Sequence, residues 1–123
     1  MPLRVLVVED DPDSLELMTY LFRSLGHEAL AAISGDAALR VAATASPNLI
    51  LCDLRLPDMD GFQLLSRLKA DPALQSIPVV AVTAYAMPGD RERVMRAGFS
   101  GYVPKPIEPE NFVRVAETFA NAR

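Results

Sequence analysis

The stretch "NLILCDLRLPDMDG", residues 48–61, begins as a strand and ends in acids. An apolar run, Leu49–Ile50–Leu51–Cys52, leads directly into Asp53, and two more aspartates, a proline and a glycine follow within eight residues. Four consecutive apolar residues bounded by turn formers describe a strand buried on both faces. A carboxylate at the end of such a strand is costly to desolvate unless something pairs with it. A chain that places one there has a chemical use for it.

Working outward, two periods alternate. Short β-rich runs occupy Val5–Val8, His27–Ala32, Leu49–Cys52, Val79–Val82 and Tyr102–Val103. Helical patterns lie between them. In the first helix, Leu15, Met18, Phe22 and Leu25 recur at spacings of three and four, and Leu21 widens the stripe. Pro12 suits its first turn and Gly26 its end. A second, Ala-rich helix spans about 36–45 and closes before Pro47. A third runs over about 62–70, entered through Asp60–Gly61. A fourth, near 90–97, stops at Gly98. The fifth starts near Glu110 and carries Phe112, Val113, Ala116 and Phe119 on one side. Five strand–helix repeats predict an α/β fold: a single (βα)₅ domain over residues 1–123, with a doubly wound parallel five-stranded sheet covered by helices on both faces.

Composition narrows the functions. A chain of 123 residues buries roughly two-thirds of its unfolded surface. Half of it is apolar and 23% is charged, as in a soluble globular domain. The formal charge is −4 and no Lys/Arg run exists, which argues against nucleic-acid binding. The apolar stretches are only strand-length, so no membrane span is expected. The first strand starts almost at Met1, leaving no room for a signal peptide, and the lone Cys52 reads as a buried apolar residue in a reducing compartment. Cytoplasm is the expected location.

In an open parallel sheet, ligands bind beyond the carboxyl ends of the strands. Here those ends carry Glu9–Asp10–Asp11, Asp53, Thr83 and Pro104–Lys105–Pro106. Crowded carboxylates repel, and one takes up a proton unless a cation sits among them. Hard oxygen donors suit Mg²⁺, which favours a few carboxylates completed by waters and phosphate oxygens. With Mg²⁺ against Asp53 and with Thr83 and Lys105 opposite, Asp53 becomes a nucleophile for a phosphoryl group whose oxygens the metal, ammonium and hydroxyl neutralise. Each residue also has a plainer reading. Asp10 and Asp11 suit the positive end of the first helix, Asp53 a turn, Thr83 a strand end and Lys105 a solvated surface. Their convergence on one rim favours the chemical reading over all of these.

The whole chain resembles a response-regulator receiver domain, the CheY-like, flavodoxin-type fold of two-component signalling. The resemblance rests on "VLVVEDD" (5–11), "LILCDLRLPDMDGFQLL" (49–65), "VVAVTAYA" (79–86) and "GYVPKPI" (101–107). It implies the strand order 2-1-3-4-5, for which CheY is the standard example. It also implies that Asp10 and Asp11 bind Mg²⁺, that Asp53 accepts phosphate and binds the metal, and that the Arg55 backbone carbonyl is a further ligand. Thr83 becomes the switch hydroxyl, Lys105 the phosphate-contacting lysine and Tyr102 the aromatic that follows Thr83 inward. Lys105–Pro106 is expected to be cis, and Glu9 to orient the site rather than bind metal. The implied partners are a histidine kinase or histidine phosphotransfer domain as phosphodonor, and a downstream protein reading the face of the fourth helix, fifth strand and fifth helix. Arg91, Arg93, Arg96 and Tyr102 belong to that face, which also suits a monomer or a weak phosphorylation-dependent dimer. The stretch "VVAVTAYAMPGDRERV" is similar to single-domain regulators of the DivK kind and to receivers of hybrid histidine kinases. With no effector domain after the fifth helix, output is expected through protein contact. Arg55 and Tyr85, two residues beyond Asp53 and Thr83, are both large and are expected to roof the site, shielding an acyl phosphate from water.

The rival readings fare worse. A flavodoxin-like electron carrier needs a Ser/Thr/Gly-rich phosphate loop where this chain has "EDDPDS". A Mg²⁺-dependent phosphatase-like hydrolase or toprim-like nuclease also uses clustered acids, but neither an Asp-x-Asp directly after the first strand nor a basic groove is present. His27 is expected in an exposed turn with no role. Met59 and Met87 are expected in loops beside the site, shielding it or touching partners.

Overall fold

The computed structural model describes residues 2–84 and 87–121. Ten elements alternate: β1 (Arg4–Val8), α1 (Pro12–Ser24), β2 (Glu28–Ala32), α2 (Gly35–Ala45), β3 (Leu49–Cys52), α3 (Gly61–Ala70), β4 (Val79–Thr83), α4 (Asp90–Ala97), β5 (Gly101–Pro104) and α5 (Pro109–Asn121). The strands form one sheet in the order β2-β1-β3-β4-β5. Every pairing in it is parallel. Element ends differ from the expected ones by a residue at several places, the ordinary scatter of helix and strand termini.

Strand alternation divides the core in two. Leu6, Val8, Ile50, Cys52, Val79 and Ala81 pack with Ala38 and Ala42 of α2, Leu64, Leu65 and Leu68 of α3, and Val94 of α4. Val5, Val7, Leu49, Leu51, Val80 and Val82 pack with Met18 and Phe22 of α1 and with Phe112, Val113 and Ala116 of α5. The β1, β3 and β4 side chains are therefore buried on both faces, apart from Arg4. Leu25 departs from its expected place in the α1 stripe. It is the helix C-cap, 65% exposed, and Gly26 follows with φ +88°, turning the chain off the helix axis. Among the described residues no helix is long and apolar enough to cross a membrane.

His27 also differs from expectation. Its side chain is 6% exposed: Nδ1 accepts the Leu3 backbone N–H at 2.9 Å, and Nε2 lies 2.7 Å from Glu117 Oε2 on α5. Its ring meets Phe22 edge-on. Partners 24 and 90 residues away make this short turn an anchor between the first strand and the last helix.

Candidate functional site

The C-terminal edge of the sheet brings Glu9, Asp53, Thr83 and Lys105 to the same rim, because β1, β3, β4 and β5 run parallel and end in register. Backbone bonds extend the ladder past the strand ends: Asp53 N–H donates to Val8 O, Glu9 N–H to Ala32 O and Lys105 N–H to Thr83 O. At the centre is an ion-pair triad. Lys105 Nζ donates to Glu9 Oε1 at 2.5 Å and to Asp53 Oδ2 at 2.7 Å. The Glu9, Asp53 and Lys105 side chains are 2%, 11% and 20% exposed, so the triad sits largely out of water.

Electrostatics follow from that placement. Burial raises the Glu9 carboxyl above its usual 4.5, and the Asp53 charge adds to the effect. The Lys105 ammonium and the Asp11 backbone N–H oppose it. For Lys105, burial works against the charge, but its bonds to Asp53 and Glu9 hold it above the usual 10.5. The lysine thus sits between the two carboxyl groups and bonds both. Cys52, wholly buried beneath, is driven to a very high pKa by desolvation and is chemically inert.

The remaining acids are arranged differently from the expected single crowd. Asp11 caps α1, its Oδ2 accepting the Ser14 N–H and hydroxyl, and those bonds hold its carboxyl below the usual range. Asp10 is exposed beside it. Among the described residues no three acidic, histidine or cysteine side chains converge into a ready-made metal cage. That arrangement still fits Mg²⁺, which needs only one or two carboxylates plus waters. The expected donors are all hard oxygens: the exposed Asp10, Asp11 at the cap of α1, Asp53 and the Arg55 backbone carbonyl.

The loop from β3 to α3 shapes the surroundings of Asp53. Arg55 N–H donates to Asp53 Oδ1 at 3.0 Å, holding the oxygen that Lys105 does not bond. Arg55 and Asp60 form an isolated antiparallel bridge. Asp60 and Gln63 make a reciprocal capping box at the start of α3. Gly61 N–H donates to Leu54 O at 2.9 Å, and the α3 backbone comes so near that a Cβ at Gly61 would lie 2.8 Å from Asp53 O. Only glycine permits that approach.

Thr83 is buried at the end of β4, and Tyr102 is half-buried against the α2–α4 side of the core. The Lys105–Pro106 peptide is cis, as expected. Arg93 of α4 stacks over Phe62 of α3, 4.4 Å from the ring centroid, so it does not simply face solvent with Arg91 and Arg96. Met59 lies against Gly35 rather than over the site, and Met87 is exposed. Tyr85, expected to roof the site with Arg55, lies outside the described residues.

A family model for the response regulator receiver domain matches residues 5–117. The chain belongs to this family. The receiver is 38% identical over 119 residues to the polar-differentiation response regulator DivK of Brucella anthropi, covering 97% of each chain. Among solved structures, it matches the receiver domain of sensor histidine kinase PA1611 from Pseudomonas aeruginosa PAO1 with TM-score 0.88 and 30% identity, over 99% of this chain and 100% of that one. That receiver holds a magnesium ion coordinated in its active-site cleft. Chemotaxis response regulator CheY4 of Vibrio cholerae, at 23% identity, shares the fold with TM-score 0.90 over 97% and 99% of the two chains. Receivers are two-component signalling modules, and phosphorylation and Mg²⁺ binding are general properties of the family. Sequence reasoning missed the anchoring of His27 and the bonds of Asp58 to α2, both set by partners more than twenty residues away, and the close approach at Gly61, which needs a glycine.

Proposed function

We propose that this receiver takes a phosphoryl group from a phosphohistidine onto Asp53. The observation that carries the reading is the Lys105 ammonium, 2.7 Å from Asp53 at the carboxyl edge of the sheet. An Asp53 carboxylate oxygen forms a bond to phosphorus while the donor's P–N bond breaks and its electron pair returns to the imidazole. An ionised carboxylate has no proton to lose, so no general base is needed. Arg55 N–H holds one oxygen of the nucleophile, and Lys105 is placed to follow the incoming negative charge. Asp10, Asp11, Asp53 and the Arg55 carbonyl would hold Mg²⁺, which supplies charge neutralisation to phosphoryl oxygens when bound.

The new group adds about two negative charges. Thr83 is drawn to it, Tyr102 moves into the vacated space, and the α4–β5–α5 face, with Arg91 and Arg96 exposed, changes for a downstream protein. The domain spans residues 1–123, works in the cytoplasm, and acts as a monomer or a weak phosphorylation-dependent dimer. Arg55 shields the acyl phosphate, so the phosphoryl group is long-lived. The test is transfer from a phosphorylated histidine kinase or phosphotransfer domain with Mg²⁺ present. Label on wild type and none on Asp53→Asn supports the reading; equal labelling of both refutes it.

A further inference from the structure

The loop that carries Arg55 is tied to the start of α2 through Asp58. Asp58 Oδ1 accepts the Gly35 N–H at 2.8 Å, and its Oδ2 accepts the Asp36 N–H at 2.9 Å. These are first-turn donors of α2, left without partners inside the helix. Ser34 already caps Ala37 N–H, so the three bonds together close the helix end. The neighbouring Met59 seats its side chain against Gly35, where a Cβ would come within 2.5 Å of both Cγ and Sδ. The loop after β3 is thus bound to the helix after β2, across the intervening β1.

That tie acts with the Arg55–Asp60 bridge, the Arg55–Asp53 bond and the packing of Leu56 and Met59 against the core to hold residues 55–60. The Arg55 amide orients Asp53 Oδ1, and its carbonyl belongs to the proposed metal donors. We infer that Asp58, clamped to the N-terminus of α2 and backed by Met59 on Gly35, is a positioning residue for phosphoryl acceptance that holds the Arg55 peptide in its working orientation. The inference rests on the function proposed above. The backbone bonds also hold the Asp58 carboxyl below its usual 3.8; a depressed acid contributes above that value and loses its contribution as pH falls through the folded one, so the strap stays closed at neutral pH.

Three variants of the full chain test this: Asp58→Ala, Asp58→Asn and Gly35→Ala. The last pushes Met59 from the opposite side while giving α2 a better helix former. Three quantities are read: amide hydrogen exchange at Arg55 without metal, Mg²⁺ affinity by calorimetry, and global stability in urea. Asp58→Ala should speed Arg55 exchange and weaken Mg²⁺ about tenfold, the low end for a residue supporting a ligand. Asp58→Asn, which keeps an acceptor oxygen, should recover part of both. Gly35→Ala should move both in the same direction without loss of global stability. Unchanged Arg55 exchange and Mg²⁺ affinity in Asp58→Ala would overturn the inference. So would losses in all three variants that merely track global stability. Faster Arg55 exchange in a protein whose wild type binds no Mg²⁺ would instead sink the proposed function and keep the strap.

Discussion

Replacing Lys105 with methionine removes the ammonium from between Glu9 and Asp53 and leaves the Glu9 carboxylate, 2% exposed, facing another acid. Left ionised and unpaired, a buried charge of this kind costs about 3–5 kcal/mol. Protonation limits the cost. Taking up a proton at about pH 7, against the usual 4.5, costs about 3.4 kcal/mol at 1.36 kcal/mol per unit, and this caps the share due to Glu9. The cap falls to about 2.0 kcal/mol at about pH 6 and to about 0.7 kcal/mol at about pH 5. The sign follows from linkage: an acid raised in the folded state contributes fully below its unfolded value, and that contribution is lost as pH rises through the folded value. Lys105 itself titrates above 10.5, outside this window. Urea unfolding without divalent ions should therefore show a gap between wild type and Lys105→Met of under about 1 kcal/mol near pH 5, opening to about 2–3 kcal/mol near pH 7. Adding Glu9→Gln to the variant should close most of it. A gap that does not change with pH, or that survives Glu9→Gln, would refute the reasoning.

Other perturbations reach different parts of the molecule. His27→Ala strands the Leu3 N–H and removes the Glu117 contact, so unfolding measurements should show a loss of about 1–3 kcal/mol, although His27 is far from the site. Gly61→Ala forces a Cβ to 2.8 Å from Asp53 O and 2.9 Å from Leu54 Cα; the β3 end must shift, lowering stability by about 1–3 kcal/mol and slowing phosphoryl acceptance in a Mg²⁺–acetyl phosphate assay. Arg55→Asn opens one side of the site to water, and the decay of phosphorylated protein should quicken several-fold relative to wild type.

The sheet and its order of elements were legible because two periods, two and 3.6, alternate cleanly along the chain. The strands of the sheet's interior announce themselves as unbroken apolar runs. The site residues were legible because parallel strands put all their C-terminal residues on one edge. Their orientations were not. Asp11 turns to Ser14, three residues on, and serves as a helix cap, a role its position before Pro12 allowed equally. Glu9 and Lys105 are 96 residues apart, and nothing in "VVEDD" says which acid takes the lysine. Asp58 sits in a loop of similar acids, distinguished only by α2 donors 22 and 23 residues upstream. His27 was misplaced because a turn residue next to Gly26 reads as exposed, whereas Glu117 of α5 and the Leu3 backbone hold its side chain out of water. Local chemistry sets residue type; packing between distant segments sets direction.

Phosphoryl acceptance at Asp53 is tested most directly by intact mass and peptide mapping after incubation with acetyl phosphate and Mg²⁺. The expected result is a single adduct of about 80 Da on the peptide containing Asp53, lost in Asp53→Asn and in excess chelator. An adduct of the same size on Asp53→Asn, or one mapped to Asp10 or Asp11, would contradict it.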